Sequence, residues 1–175
     1  MTQGRIHLIL GGARSGKSRY AQGLAEAFGG ALVYVATGQA LDAEMAERIA
    51  RHRADRGPRW STVEAPLELP AIVDAESRGG RLLLIDCLTL WTSNLMHAGR
   101  DVAAETARLV EALNGAAGPV ILVANEVGLG IVPDHALARA FRDVAGRMNQ
   151  SIAAAADDVS FIAAGLPVRL KHFAP

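Results

Sequence analysis

Short apolar runs alternate along this chain with longer stretches of helical period. Arg5–Leu10 reads as a strand, followed by a glycine-rich loop and a helix over Lys17–Phe28 that ends at Gly29-Gly30. Ala31–Ala36 reads as a second strand. Asp42 is the N-cap of a charged helix reaching Arg53, and Gly57-Pro58 stops it. Trp60–Glu64 reads as a short strand and Leu67–Glu76 as helix. Arg81–Ile85 is nearly all apolar, as expected of a strand buried on both faces. Helices over Leu88–His97 and Val102–Asn114 follow, then a buried strand at Pro119–Ala124 and a glycine-bearing loop over Asn125–Pro133. Asp134–Ala156 has helical period, Val159–Ala163 reads as a last central strand, and Val168–Lys171 as a short edge piece.

Strands that alternate with helices predict an α/β layered fold with a mostly parallel sheet. The chain has 175 residues, the size of one domain, with no linker or repeat to divide 1–175. In open α/β sheets, ligands sit beyond the carboxyl ends of the strands. The polar motifs of this sequence fall just after strands, so they should converge on one sheet edge.

Composition narrows the function classes. Lys+Arg and Asp+Glu are 18 each, which removes the electrostatic argument for a nucleic-acid or anionic-membrane partner. The one cysteine, Cys87, cannot make a disulfide within the chain, and that fits a reducing cytoplasm. No apolar run approaches the roughly 20 residues that span a bilayer. The expectation is a soluble cytoplasmic protein with no membrane insertion.

Gly11-Gly12-Ala13-Arg14-Ser15-Gly16-Lys17-Ser18 matches G-x-x-x-x-G-K-[ST], the phosphate-binding loop of nucleoside triphosphatases. Glycines let successive backbone N–H groups turn inward as an anion nest. The helix behind adds partial positive charge. In such loops the lysine, here Lys17, reaches the β- and γ-phosphates, and the hydroxyl of Ser18 faces Mg²⁺. The strand before and the helix after supply the context the motif requires. Asp86 ends an apolar strand, where P-loop proteins place their second magnesium-side group.

Two further runs are more particular. One is Ala36-Thr37-Gly38-Gln39 through Asp42-Ala43-Glu44-Met45, then Arg48-Ile49, His52, Pro58 and Trp60. The other is Asn125-Glu126-Val127-Gly128-Leu129-Gly130-Ile131-Val132-Pro133, with Arg139, Phe141-Arg142-Asp143, Gly146-Arg147 and Asn149-Gln150. With the phosphate loop, these resemble the bifunctional adenosylcobinamide kinase/adenosylcobinamide-phosphate guanylyltransferase family of cobalamin biosynthesis. The resemblance covers essentially the whole chain. It implies phosphorylation of adenosylcobinamide with ATP or GTP, then transfer of GMP from GTP through a GMP–histidine, giving adenosyl-GDP-cobinamide. It also implies a homo-oligomer, a trimer.

By that resemblance the GMP-accepting histidine is His52. Its neighbours Arg48, Arg51, Arg53 and Arg56 favour the neutral, nucleophilic imidazole and stabilise charge on an α-phosphate under attack. The resemblance carries guanine-nucleotide contacts to Thr37, Gly38, Gln39, to Arg53, Ala54, Asp55 and Arg56, to Glu64 and to Asp86. The loop 125–133 is placed either at the corrinoid or at a subunit contact. His7, His97, His135 and His172 have no metal-ligand spacing.

Overall fold

The computed structural model describes residues 5–38 and 57–172. The helix read over Asp42–Arg53 lies outside them. The described chain runs β1 (Ile6–Gly11), α1 (Lys17–Glu26), β2 (Ala31–Ala36), β3 (Trp60–Glu64), α2 (Leu69–Glu76), β4 (Arg81–Asp86), α3 (Leu88–His97), α4 (Val102–Asn114), β5 (Val120–Asn125), α5 (Ala136–Ala155), β6 (Asp158–Ala163) and β7 (Leu166–Lys171). All seven strands join one sheet, in the order β3-β2-β4-β5-β1-β6-β7. Every pairing is parallel except that of β7, which returns antiparallel along β6.

Alternation along each strand divides the core between the two sheet faces. Ile6, Leu8 and Leu10 of β1 pack with Leu83, Ile85, Leu122 and the apolar faces of α2 to α5. Ile9 points the other way, to Ala21 and Ala25 of α1 with Leu82, Leu84, Ile121 and Val123. The strands β4 and β5, covered on both faces, are the continuous apolar runs of the sequence. Trp91 of α3 is wholly buried, and its indole N–H donates to the Leu67 carbonyl at 2.9 Å. That bond lets a large ring enter the core with its polar edge satisfied.

The glycine pair after α1 acts differently from a left-handed helix stop. The helix ends at Glu26 with a right-handed Ala27, and neither Gly29 nor Gly30 has positive φ. A Cβ at Gly30 would stand 2.2 Å from the Gly80 carbonyl oxygen, so glycine is required there by close approach of two backbones. The edge strand is also longer than its apolar residues suggest. A two-residue turn, Ala164-Gly165, brings Leu166 directly opposite Ala163.

Candidate functional site

The register of the sheet brings the polar strand ends together. Glu64 stands opposite Ala36, and Ala36 opposite Asp86. Gly11 stands opposite Asn125, and β5 separates the phosphate-loop strand β1 from the Asp86 strand β4. One carboxyl edge therefore carries the phosphate loop, Asn125, Asp86, Thr37 and Glu64, as parallel order and strand polarity require.

The loop over Gly11–Ser18 is built for an anion. Gly16, the N-cap of α1, is left-handed at φ 95°, and no side chain caps the helix. The first-turn N–H groups are thereby presented outward, with the positive end of the helix dipole behind them. Arg14 is also left-handed, at φ 57°. A Cβ at Gly11 would meet Ser15 Oγ at 2.6 Å and the Ile162 carbonyl oxygen at 2.7 Å, so the loop leaves β1 under close contact from β6. Lys17 is 9% exposed, and its Nζ donates to the Gly12 carbonyl at 3.1 Å, folding the cation back over the loop. Ser15 Oγ is buried without a hydrogen-bond partner among the described residues. A buried, unsatisfied hydroxyl costs on the order of 1–3 kcal/mol and is relieved by an incoming acceptor such as a phosphate oxygen. Ser18, on the first helical turn, and Gly12 are half-buried, and Ala13 and Arg14 are exposed.

Thr37 is fully buried, and its hydroxyl is already committed. Oγ1 donates to the Cys87 carbonyl at 2.7 Å and accepts from the Cys87 N–H at 2.8 Å. Asn94 of α3 completes the knot, donating from Nδ2 to the carbonyls of Thr37 at 2.8 Å and Pro66 at 3.0 Å. These bonds lock the ends of β2 and β4 together directly beside Asp86. The N-cap residue of α3 is Cys87, with no side-chain cap. Gly38 follows Thr37, close to Leu90 of α3. Gln39, His52, Arg53, Ala54, Asp55 and Arg56 lie outside the described residues.

Sequence reasoning gave Thr89 and Asn94 no role. Thr89 Oγ1 accepts from the Asn125 N–H at 2.7 Å, fixing the end of β5 to the start of α3. Asn149 of α5 donates to the Asn125 carbonyl at 3.3 Å, and the side-chain oxygens of both asparagines are buried without a partner among the described residues. A polar residue inside an amphipathic helix was the available signal, since it serves poorly in a helix interior unless it bonds elsewhere. The following loop leaves Leu129, Ile131 and Val132 exposed, and Leu137 in the first turn of α5 is exposed as well.

Of the remaining histidines, His7 and His172 lie at the opposite end of the sheet, at the start of β1 and just past β7. His7 Nε2 meets Ser160 Oγ at 2.9 Å near the start of β1. Burial holds its pKa below the ordinary 6.5, with the charges of Arg5 and Arg169 acting the same way against Asp158. Burial alone would raise the Asp158 carboxyl, but hydrogen bonds from His172 and Arg5 outweigh it and hold the group below 3.8. His97 Nδ1 meets the Ser93 carbonyl at 2.7 Å in the last turn of α3, and His135 is the exposed N-cap of α5. Burial pushes the Cys87 thiol up, which keeps it un-ionised.

Residues 7–170 match the family model for cobinamide kinase / cobinamide phosphate guanyltransferase. The chain belongs to this family. It is 50% identical over 166 residues to the bifunctional adenosylcobalamin biosynthesis protein CobP of Pseudomonas aeruginosa, covering 94% of this chain and 96% of that protein. It is 41% identical over 179 residues to the bifunctional adenosylcobalamin biosynthesis protein CobU of Escherichia coli, covering 94% and 98%. Among solved structures, the RadB recombinase superposes with a TM-score of 0.56 at 17% identity, covering 91% of this chain and 74% of that one. The P4 protein of bacteriophage phi6, in complex with ADP, gives 0.51 at 16% identity over 93% of this chain, which spans about half that protein's length. At such identities the two structures establish the shared α/β fold. Membership of the cobinamide kinase family accounts for the long coverage of the sequence resemblance, including the loop after β5. Among the described residues, no helix is long and apolar enough to cross a membrane.

Proposed function

We propose that this chain performs both reactions of its family on a single nucleotide-binding domain. In the first, the aminopropanol hydroxyl of adenosylcobinamide attacks the γ-phosphorus of ATP or GTP. The new O–P bond replaces the bond to the β-phosphate oxygen, the nucleoside diphosphate leaves, and the alcohol proton passes to solvent or a base. In the second, the neutral imidazole of His52 attacks the α-phosphorus of GTP and pyrophosphate leaves. The phosphate oxygen of adenosylcobinamide phosphate then attacks the same phosphorus, freeing His52 and giving adenosyl-GDP-cobinamide. A covalent intermediate divides one difficult transfer into two displacements.

The observation that carries this reading is the phosphate loop at the sheet's carboxyl edge, with Lys17 folded over it and the start of α1 uncapped. Backbone N–H groups of Gly12 to Ser18 hold the phosphates, and Lys17 neutralises charge on the β- and γ-oxygens in the transition state. Thr37 serves this site by positioning: it fixes the β2 and β4 ends, leaving Gly38 and Gln39 to approach the nucleotide. Glu64 and the Arg53–Arg56 run complete the guanine-nucleotide contacts, and the arginines around His52 bear the charge of the α-phosphate.

The donor set fits Mg²⁺. Ser18 and Asp86 offer hard oxygen ligands, and no group of three or more His, Cys, Asp or Glu able to hold a metal exists among the described residues. Magnesium is ordinarily held by one or two protein oxygens together with substrate phosphates and water, rather than by an all-protein cage. When bound it neutralises phosphate charge. The assembly we propose is the homotrimer implied by the resemblance, with the corrinoid as substrate and neither nucleic acid nor membrane as partner.

Lys17→Ala tests the shared site. It should abolish phosphorylation of adenosylcobinamide and formation of the GDP-cobinamide product together, read by chromatography of the corrinoids. Full retention of either activity would show that the loop does not hold the triphosphate for both.

A further inference from the structure

The β6–β7 hairpin is a strand pair whose purpose burial does not explain. All six residues of β7 are exposed, including Leu166, Val168 and Leu170, so the strand adds little to the core. Its turn end, however, touches the phosphate loop. The Gly165 N–H donates to the Ser15 carbonyl at 2.8 Å. A Cβ on Gly16 would lie 3.2 Å from Gly165 Cα, so the two backbones meet with no side chain between them. Ala164 and Gly165 have φ 51° and 81°, both positive, which is the two-residue type I′ arrangement that follows the twist of a hairpin. The opposite end is tied down separately. Lys171 Nζ donates to the Ala153 and Ala154 carbonyls at the end of α5, and His172 bonds Asp158 at 2.7 Å.

We infer that the Ala164–Gly165 turn is a clamp on the phosphate loop, and that Gly165 is a positioning residue for the bound triphosphate. Ser15 lies between left-handed Arg14 and left-handed Gly16, a backbone shape that is costly for Arg14. The Gly165 N–H occupies the Ser15 carbonyl, orienting that peptide so that the N–H of Gly16 faces the phosphates. Preorganised donors bind an anion without first having to be arranged. The hairpin is therefore a strut, anchored at its base on Asp158 and α5, with its tip bearing on the loop.

This rests on Gly11–Ser18 being the triphosphate site, so Lys17→Ala is run in parallel. The test is titration of Mg·GTP by calorimetry on folded protein, with near-UV circular dichroism as the check on folding. Gly165→Val places a β-branched residue at positive φ, forces the turn to shift and should weaken GTP binding about tenfold, or about 1.4 kcal/mol. Gly165→Asn tolerates that φ, keeps the N–H and has open space at its Cβ, so it should stay within about twofold of the parent. Parent-like binding by folded Gly165→Val, while Lys17→Ala loses GTP, would overturn the clamp and leave the site assignment standing. Unchanged binding by Lys17→Ala would overturn both. Should Gly165→Val fail to fold, hydrogen exchange on the parent protein decides: GTP should slow exchange of the Gly165 amide along with the loop amides. A Gly165 amide indifferent to GTP would contradict the clamp.

Discussion

Replacing Thr37 by valine tests whether its hydroxyl holds the site's floor. Valine keeps the shape and the β-branch and removes only the hydroxyl. The Cys87 N–H then loses its 2.8 Å partner inside a buried knot, and an orphaned buried donor costs about 1–3 kcal/mol. The Cys87 carbonyl loses its 2.7 Å bond but keeps the one from the Trp91 N–H at 3.2 Å, so it adds only the net value of one bond, about 0.5–1.5 kcal/mol. The expected loss is about 1.5–4.5 kcal/mol, a large share of the roughly 5–15 kcal/mol that holds a domain folded. Thr37→Ser keeps both bonds and removes one methyl, which should cost about 0.5–1.5 kcal/mol. Urea denaturation reads both as shifts of midpoint at constant slope. Cobinamide phosphorylation should fall in the valine variant as well, because the peptide after Asp86 loses its anchor. Equal destabilisation by valine and serine would refute the reasoning, and would return the Thr37 hydroxyl to a direct role with nucleotide.

Three other outcomes follow from the same structure. Asn94→Ala leaves the Thr37 and Pro66 carbonyls without their amide donor and should cost about 1–3 kcal/mol in the same urea assay; a neutral result would mean water replaces the amide. Acid should weaken the fold in two steps. His7, depressed by burial, contributes fully above pH 6.5, and its contribution is lost as pH falls through its lower folded pKa. Asp158, also depressed, contributes fully above 3.8 and fails only below that. The urea midpoint should therefore decline from pH 7 to 5 in the parent and flatten in His7→Gln; a parent midpoint flat over that range would contradict the burial argument. His52→Ala should abolish GMP transfer while leaving measurable phosphorylation of adenosylcobinamide; equal loss of both would make His52 structural.

The sequence made the frame legible because the sheet is simple to read. Buried parallel strands are apolar runs, and the phosphate loop names its own strand and helix. The same logic sets Asp86 at the end of its strand, while Asn125, read as the first residue of the loop, is the last residue of β5. What the pattern could not carry were contacts between segments distant in the chain. Thr37 reads as a small polar residue near a nucleotide motif, yet its hydroxyl is spent on Cys87, 50 residues away. Asn94 offered only its awkward place inside a helix. Gly30 reads as a helix stop but is required by the carbonyl of Gly80. The hairpin turn is not legible in the sequence, because Ala164-Gly165 lacks the Asn-Gly or Asp-Gly signature that marks type I′ turns.

If His52 carries GMP during the transfer, as proposed, incubation with Mg²⁺ and GTP labelled at the α-phosphate should leave an acid-labile, base-stable GMP on the peptide containing His52. The label should be lost in His52→Ala and in Lys17→Ala, and discharged by adenosylcobinamide phosphate. Intact nucleotide binding with no label on His52 would contradict the proposal and leave a P-loop kinase alone.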